Sequence, residues 1–181
     1  YSKQTEDLLY NPELPGTAGS AAQPYINIAS MSNTGIDMEL SYRNNWGDFG
    51  FNGSAVFTTY NNEITKITEG VNFFDWGGAT TRIGTGNRNM VGHPISSFFG
   101  YKELGLFQTA SDVTGAPTKT GAEPGFFQFA NIDESDNIID PKDRTFIGDP
   151  NPDFTYGLNL TFTYKDFDLT AFAYGSQGND I

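Results

Sequence analysis

Cysteine is missing from this chain of 181 residues. Its absence excludes a disulfide framework, a thiolate metal site and a cysteine nucleophile. His93 is the single histidine, and neither a Gly-x-Ser-x-Gly nor a His-Glu-x-x-His motif occurs. The chain therefore offers no catalytic constellation, and we expect a protein that is not an enzyme.

Basic residues and long apolar runs are also scarce. Ten Lys and Arg stand against 22 Asp and Glu, which gives a formal net charge of -12. Such a chain lacks the clustered cations that hold nucleic acid or an anionic membrane surface. No apolar run approaches the roughly 18 to 20 residues of a spanning helix. Strands of a membrane barrel escape that test, because only alternate residues face lipid.

Glycine and aromatic residues are abundant, with 21 Gly and 16 Phe, a composition that favours strands and turns. The clearest pattern is strict alternation over residues 154–164. One face carries large apolar side chains: Phe154, Tyr156, Leu158, Leu160, Phe162 and Tyr164. The other carries small or polar residues: Thr155, Gly157, Asn159, Thr161 and Thr163. Eleven residues match the ~9 to 11 of a tilted transmembrane strand, and aromatics lie at both ends as in an interfacial girdle.

Two earlier segments alternate in the same way. Ile36, Met38, Leu40 and Tyr42 share one face, opposite Asp37, Glu39, Ser41 and Arg43. Phe49, Phe51, Gly53, Ala55 and Phe57 share another, opposite Asn52, Ser54 and Thr58, although Val56 and Tyr60 blur the pattern. Because isolated buried charge is costly, the charged face of the first segment indicates a water-filled interior.

The connections alternate in length. Residues 43–48 and 165–166 form short links, whereas residues 11–32, 61–79 and 108–153 form long ones. Seven strands then run alternately up and down: to residue 9, then 34–44, 49–60, about 80–89, 98–107, 154–164 and 167–175. Short turns at one end and long loops at the other are typical of an outer-membrane barrel. We predict an all-β fold, an antiparallel up-and-down transmembrane β-barrel segment of about seven strands of a larger barrel.

Several blocks resemble the C-terminal barrel portion of SusC/RagA-type TonB-dependent transporters. They are Tyr-Ser-Lys-Gln-Thr-Glu-Asp-Leu-Leu from Tyr1, Asn-Thr-Gly-Ile-Asp-Met-Glu from Asn33, and Gly-His-Pro-Ile-Ser-Ser-Phe-Phe-Gly-Tyr from Gly92 with Gly-Leu-Phe-Gln from Gly105. Ile-Gly-Asp-Pro-Asn-Pro-Asp-Phe-Thr-Tyr-Gly from Ile147, Phe-Asp-Leu from Phe167 and Gly-Ser-Gln-Gly-Asn-Asp from Gly175 complete the set. Asp37 stands where the family has Glu.

The resemblance implies a plugged barrel of about 22 strands in the bacterial outer membrane. It implies energy from TonB through a segment not in this chain, a SusD-like surface lipoprotein, and import of an oligosaccharide or a peptide. Residues 1–181 would then be part of the receptor barrel, in contact with outer-membrane lipid, with the plug and the terminal strands absent. No nucleic-acid partner is expected.

Residues 131–144 resemble a Ca²⁺ loop and belong to an acidic stretch. Residues 123–153 hold eight acids and two bases, which is -6 of the total -12. Asp133, Asp136 and Asp143 supply the hard oxygen ligands that calcium prefers. The match is imperfect, because Ile132, Lys142 or Asn137 falls at a position that the motif reserves for a ligand or for glycine. The alternative is a metal-free acidic loop closed by an Asp-Arg salt bridge, and we expect no cofactor.

The remaining candidates have structural interpretations. His93 beside Pro94 is expected in a turn. Residues 84–88 are glycine-rich without a following helix, so they predict a loop and not a phosphate cradle. Phe73, Phe74 and Trp76 could stack on a sugar, or could bury one another. Phe172 and Tyr174 lie opposite Leu169 and Ala171. The competing overall interpretation is a secreted β-sandwich that binds carbohydrate or acts as an adhesin, which requires an apolar face packed on a second sheet.

Overall fold

The computed structural model describes residues 1–11, 24–75 and 85–181. In chain order the strands are β1 (Ser2–Tyr10), β2 (Ile26–Trp46), β3 (Phe49–Ile67), β4 (Phe73–Phe74), β5 (Asn87–Met90), β6 (Ser97–Tyr101), β7 (Glu103–Leu106), β8 (Phe127–Phe129), β9 (Arg144–Gly148), β10 (Phe154–Tyr164) and β11 (Phe167–Gln177). The helix α1 spans Ala110–Gly115, and a 3-10 turn spans Pro141–Asp143. Among the described residues, no helix has the length and apolar character needed to cross a membrane.

The chain forms two compact units. The first contains Tyr1–Phe74, Asn89–Ile95 and Asp149–Ile181, and the second contains Asp75–Arg88 and Ser96–Gly148. The predicted all-β, antiparallel architecture is confirmed, since every strand pair is antiparallel and the described helical segments are only six and three residues long.

The first unit is built on a five-stranded antiparallel sheet with the order β1-β2-β3-β10-β11. Each pair is a neighbour in sequence except β3 and β10, which pair directly along Phe49–Thr59 and Phe154–Tyr164. The two predicted spanning strands between them are therefore wrong. Residues 98–107 form β6 and β7 in the second unit, and of residues 80–89 only 87–89 lie in a described strand, the short β5.

Two tight turns close one end of the sheet. Gly47 and Asp48 connect β2 to β3, and Lys165 and Asp166 connect β10 to β11. Gly47 and Lys165 adopt positive φ, which such two-residue hairpins require. The predicted 165–166 hairpin is confirmed. The predicted link at residues 43–48 is shorter than expected, because β2 continues to Trp46.

At the opposite end, here called the long-loop end, β2 and β3 project beyond β10. β3 has nineteen residues, of which eleven pair with β10. The remaining eight extend about 26 Å further at ~3.3 Å per residue. A small core lies on this extension, where Ile28, Ala29, Ile64 and Phe74 are buried and Leu8, Tyr10 and Ile67 pack against them. Burial of a side chain such as Ile64 stabilises the fold by about 1.5 to 3 kcal/mol.

The second unit consists of short strands and capped turns. Asn87 and Arg88 of β5 pair with β6, β6 pairs with β9, and β7 pairs with β8. Thr109 caps α1 by accepting a hydrogen bond from the backbone N–H of Asp112, whose carboxylate accepts one from the N–H of Thr109. The strand β8 lies within the aromatic run at residues 126–129.

Candidate functional site

The first candidate site is the five-stranded sheet itself, whose two faces differ in chemistry. Directly opposed residues of antiparallel strands point to the same side of a sheet. The register therefore places Leu158 and Leu160 beside Ala55 and Gly53 of β3 and beside Ala173 and Ala171 of β11. One continuous apolar face results, and the alternation predicted for residues 154–164 is confirmed.

The apolar face ends in aromatic side chains at both ends of β10. Trp46 stacks on Phe49 with ring centroids 5.9 Å apart near the tight turns, and Phe57 lies 5.5 Å from Phe154 towards the long-loop end. Tyr156, Leu158 and Tyr164 are exposed on this face. A sandwich would bury this face, so the structure contradicts the β-sandwich interpretation.

The other face is polar and open. Asp37, Glu39 and Arg43 are exposed there, with Thr58, Val56 and Asn52 as their neighbours on β3. In the described residues, none of these three charges forms an ion pair. The face is therefore suited to water, which is the environment expected of a channel wall.

Phe172 and Tyr174 are two aromatic side chains on the polar face. The register places them opposite Asn159 and Gly157, and their side chains are 73% and 66% exposed. Val56 lies across Gly157 on the other side. An apolar strip thus crosses three strands of an otherwise polar wall.

Beyond the end of β10, a turn containing His93 pairs with the edge of β3. The N–H of Ile64 donates to the carbonyl of His93 at 3.0 Å, and the N–H of Gly92 donates to the carbonyl of Ile64 at 2.9 Å. The N–H of His93 donates to the carbonyl of Met90. The prediction that His93 is a turn residue is confirmed.

Buried Asn62 connects this turn to β2. Its side chain donates to the Asn33 side-chain oxygen at 2.6 Å and accepts from the N–H of Ile95 at 2.7 Å. Asn151 in turn donates to the carbonyl of Ile95. We call the group of Asn33, Asn62, Ile95 and Asn151 the motif junction, because three of the sequence blocks meet in it. Sequence reasoning missed Asn62, which lies outside every block.

The block at residues 147–157 also interlocks with the block at residues 175–180, beside the motif junction. The N–H of Asp149 donates to the Asp180 carboxylate at 2.8 Å, and the N–H of Asp180 donates to the carbonyl of Asp149 at 2.7 Å. Gly178 has φ of 93°, and a Cβ at this position would collide with the Asp153 carboxylate. Glycine is thus required here both by the backbone conformation and by the close approach of Asp153.

The acidic loop at residues 131–144 is organised by Asp143, whose side chain is buried. Its Oδ1 accepts from the N–H groups of Ile132 and Asp133 at 2.8 and 3.1 Å, and its Oδ2 accepts from the N–H of Asp140 at 2.8 Å. These bonds, led by that of Asp140, hold the pKa of the Asp143 carboxyl below its usual range. These three hydrogen bonds connect the two ends of the loop.

The Asp-Arg salt bridge predicted for this loop is wrong. The guanidinium of Arg144 donates to the backbone carbonyls of Thr85 and Phe99, and it lies 5.0 Å from the centre of the Phe99 ring. Lys142 forms the loop's ion pair instead, at 3.7 Å from Asp133. Over the described residues, no group of three or more His, Cys, Asp or Glu is arranged to hold a metal ion.

The other sequence candidates lie apart. Gly84 and Trp76 fall outside the described residues, while Thr85 and Arg88 both bond the Asp75 carboxylate. That contact is structural and does not form a phosphate cradle. Phe74 is buried against Tyr10 at 5.3 Å, so it cannot stack on a sugar together with Phe73.

Sequence reasoning also missed a cavity of about 330 Å³ in the second unit. Phe126, Phe127 and Phe129 line it together with the segment from Lys119 to Ala122. The only signal in the sequence was the aromatic run at residues 126–129.

Comparisons with known proteins agree on one family. The whole chain is 33% identical to TonB-dependent receptor P3 of Formosa agariphila over 184 residues, and 27% identical to TonB-dependent receptor SusC of Bacteroides thetaiotaomicron over 188 residues. It superposes on the RagAB peptide importer in the open-open state with a TM-score of 0.69 at 23% identity, covering 98% of this chain and 18% of that one. No protein-family model matches the chain.

The chain spans about 18% of the length of the curated relatives it matches. The match includes every sequence block described above, and the solved structure shares the antiparallel sheet. Over its whole length the chain is therefore similar to a segment of TonB-dependent receptors, SusC among them, and it shares the fold of the matching part of RagAB.

Proposed function

We propose that this chain is part of the wall and the extracellular excursion of an outer-membrane transporter that imports a nutrient with energy delivered through TonB. The observation that carries the proposal is the sheet with one apolar and one polar face over eleven-residue strands. An apolar face of that length suits lipid, and a polar face suits a hydrated interior.

The long-loop end is the side that we assign to the cell exterior. Outer-membrane barrels carry short turns on the periplasmic side and long loops outside. The tight turns at residues 47–48 and 165–166 would then lie in the periplasm, and the chain between β3 and β10 would leave the sheet on the outer side of the membrane. There it can contact a substrate and a SusD-like lipoprotein lid, which are the partners expected for the whole receptor.

The nutrient is an oligosaccharide or a peptide. SusC is a sequence relative of this chain, and its structural neighbour RagAB is a peptide importer. We also propose that the loop at residues 131–144 works without calcium, because both Asp143 oxygens already accept backbone N–H bonds.

Uptake by intact cells tests the transport proposal. Cells that carry the full-length receptor are given labelled peptides and oligosaccharides, with and without a functional TonB. Accumulation that requires both the receptor and TonB supports the proposal. Uptake that persists without TonB, or a receptor that fractionates away from the outer membrane, would contradict it.

A further inference from the structure

The cavity of the second unit has a fixed frame. The N–H of Thr118 donates to the carbonyl of Asn137, and the N–H of Ile139 donates to the carbonyl of Thr118, both at 2.8 Å. The following turn closes when the N–H of Ala122 donates to the carbonyl of Lys119. On the opposite wall, β8 pairs with β7. The cavity therefore exists before any ligand arrives.

The lining of the cavity is mainly apolar. Phe126 and Phe127 are 52% and 54% exposed, so a bound ligand would remove much of their apolar surface from water. Exposed aromatic rings that border a concavity favour an apolar ligand group, since each square ångström covered is worth about 25 cal/mol. At about 330 Å³ the cavity is at the small end of ligand sites, which suits a single side chain.

Lys119 adds one positive charge to this apolar site. Its ammonium lies 4.8 Å from the ring centres of both Tyr101 and Phe129. In the part of the chain that the structure describes, no carboxylate forms an ion pair with Lys119. A cation held over two rings at a partly buried site attracts a carboxylate strongly, because little water competes with it.

We propose that this cavity binds the C-terminal residue of a peptide. An apolar side chain enters between the phenylalanine rings, and the terminal carboxylate pairs with Lys119. Capture of a C-terminal carboxylate beside a side-chain pocket is a known mode of peptide recognition. An oligosaccharide fits less well, because Thr120 and Lys119 are the only polar side chains of the lining and most sugar hydroxyls would lose their hydrogen bonds.

Calorimetric titration of the full-length receptor in detergent tests this assignment. The probes are Gly-Gly-Gly-Phe as the free acid, the same peptide as the C-terminal amide, Gly-Gly-Gly-Gly as the free acid, and maltotetraose. We expect the free acid of the phenylalanine peptide to bind at least about tenfold more tightly than its amide, the difference that one charge-assisted hydrogen bond supplies. The glycine peptide and maltotetraose should bind weakly or not at all.

Matched variants locate the binding. Lys119→Met should reduce the affinity for the free acid to that for the amide, whereas Lys102→Met, an exposed lysine of the same unit outside the lining, should not. Phe127→Ala should weaken both peptides about tenfold. Ile132→Ala removes an exposed apolar side chain outside the lining and should leave binding unchanged.

The inference deepens the proposed transport function by naming its substrate class, but its test needs no energy source. Binding that is intact in a receptor without TonB-dependent uptake would contradict the transport proposal alone. Equal affinity for acid and amide, no effect of Phe127→Ala, or maltotetraose binding that depends on the same residues would overturn the peptide site.

Discussion

At the scale of single residues, Asp143 has the most consequential contacts of the acidic loop. Its two oxygens accept hydrogen bonds from three backbone N–H groups. The carboxylate thereby holds the loop segments together, as a bound ion does in a calcium loop. We expect Asp143→Asn to replace one acceptor by a donor and to leave at least one N–H unsatisfied. Hydrogen exchange at Ile132, Asp133 and Asp140 should accelerate. Glu134→Gln, in the same loop and exposed, is the control and should change nothing.

The same carboxylate makes the loop sensitive to acid. The pKa of Asp143 is lower in the folded loop than in the unfolded one. Its contribution to stability is therefore fully present above the ordinary aspartate pKa and is lost as the pH falls through the lowered folded value. Protease cleavage within residues 131–144 should increase only in strongly acidic buffer, and in Asp143→Asn that pH dependence should disappear.

Gly178 is the second residue with a sharp prediction. Gly178→Ala puts a methyl group into the Asp153 carboxylate and a non-glycine residue at φ of 93°. We expect a local cost of about 1 to 3 kcal/mol, detected as faster exchange of the Asp149 and Asp180 amides. Adding Asp153→Ala should recover part of the loss, because it removes the collision and leaves the backbone strain. Unchanged exchange in Gly178→Ala would mean that the two blocks do not interlock in this way.

At the scale of elements, neighbouring residues of β10 lie on opposite faces of the sheet, and the proposed function assigns one face to lipid and the other to water. Leu160 lies on the apolar face and Asn159 on the polar face, at the same depth. Leu160→Lys should destabilise the folded receptor by about 2 to 4 kcal/mol in bilayers, whereas Asn159→Lys should have little effect. Urea unfolding of the reconstituted full-length receptor measures both. Equal destabilisation by the two variants would refute the assignment of the faces.

Strand lengths show where local patterns stop being informative. Alternation identified the bilayer-length parts of β2 and β3, but β2 begins at Ile26, well before the predicted residue 34, and β3 continues to Ile67. In these extensions, pairing with β1 and with the His93 turn maintains the strands without a regular apolar face.

At the scale of the whole molecule, the direct pairing of β3 with β10 is the main departure from prediction. The chain has no cysteine, so introduced pairs report the register cleanly. Ser54→Cys with Asn159→Cys joins directly opposed residues and should form a disulfide readily. Ser54→Cys with Phe172→Cys lies two strands apart, near 9 to 10 Å, and should not. Failure of the Ser54–Asn159 pair to form a disulfide would support intervening strands.

The sequence by itself determined the family, the all-β class, the two faces of the sheet and the tight turn at residues 165–166. The family resemblance depends on the sequence blocks, and the other features depend on side-chain alternation or on local turn chemistry. All of these can be identified within short stretches of the sequence. The count of spanning strands could not be obtained that way. Removing one up strand and one down strand leaves the directions consistent, so alternation of direction cannot distinguish seven strands from five.

Only the tertiary structure decided which segments pair across long sequence distances. Because β3 extends beyond the end of β10, its edge there has N–H and C=O groups that need other partners. This requirement brings together the residues of the motif junction, which are Asn33, Asn62, Ile95 and Asn151. Lys119 faces Tyr101 and Phe129 because the Thr118 bridge and the β7–β8 pair set their spacing. Both arrangements arise from backbone hydrogen bonds between distant segments. Because backbone groups are the same in nearly every residue, no side-chain pattern in the sequence predicts these bonds.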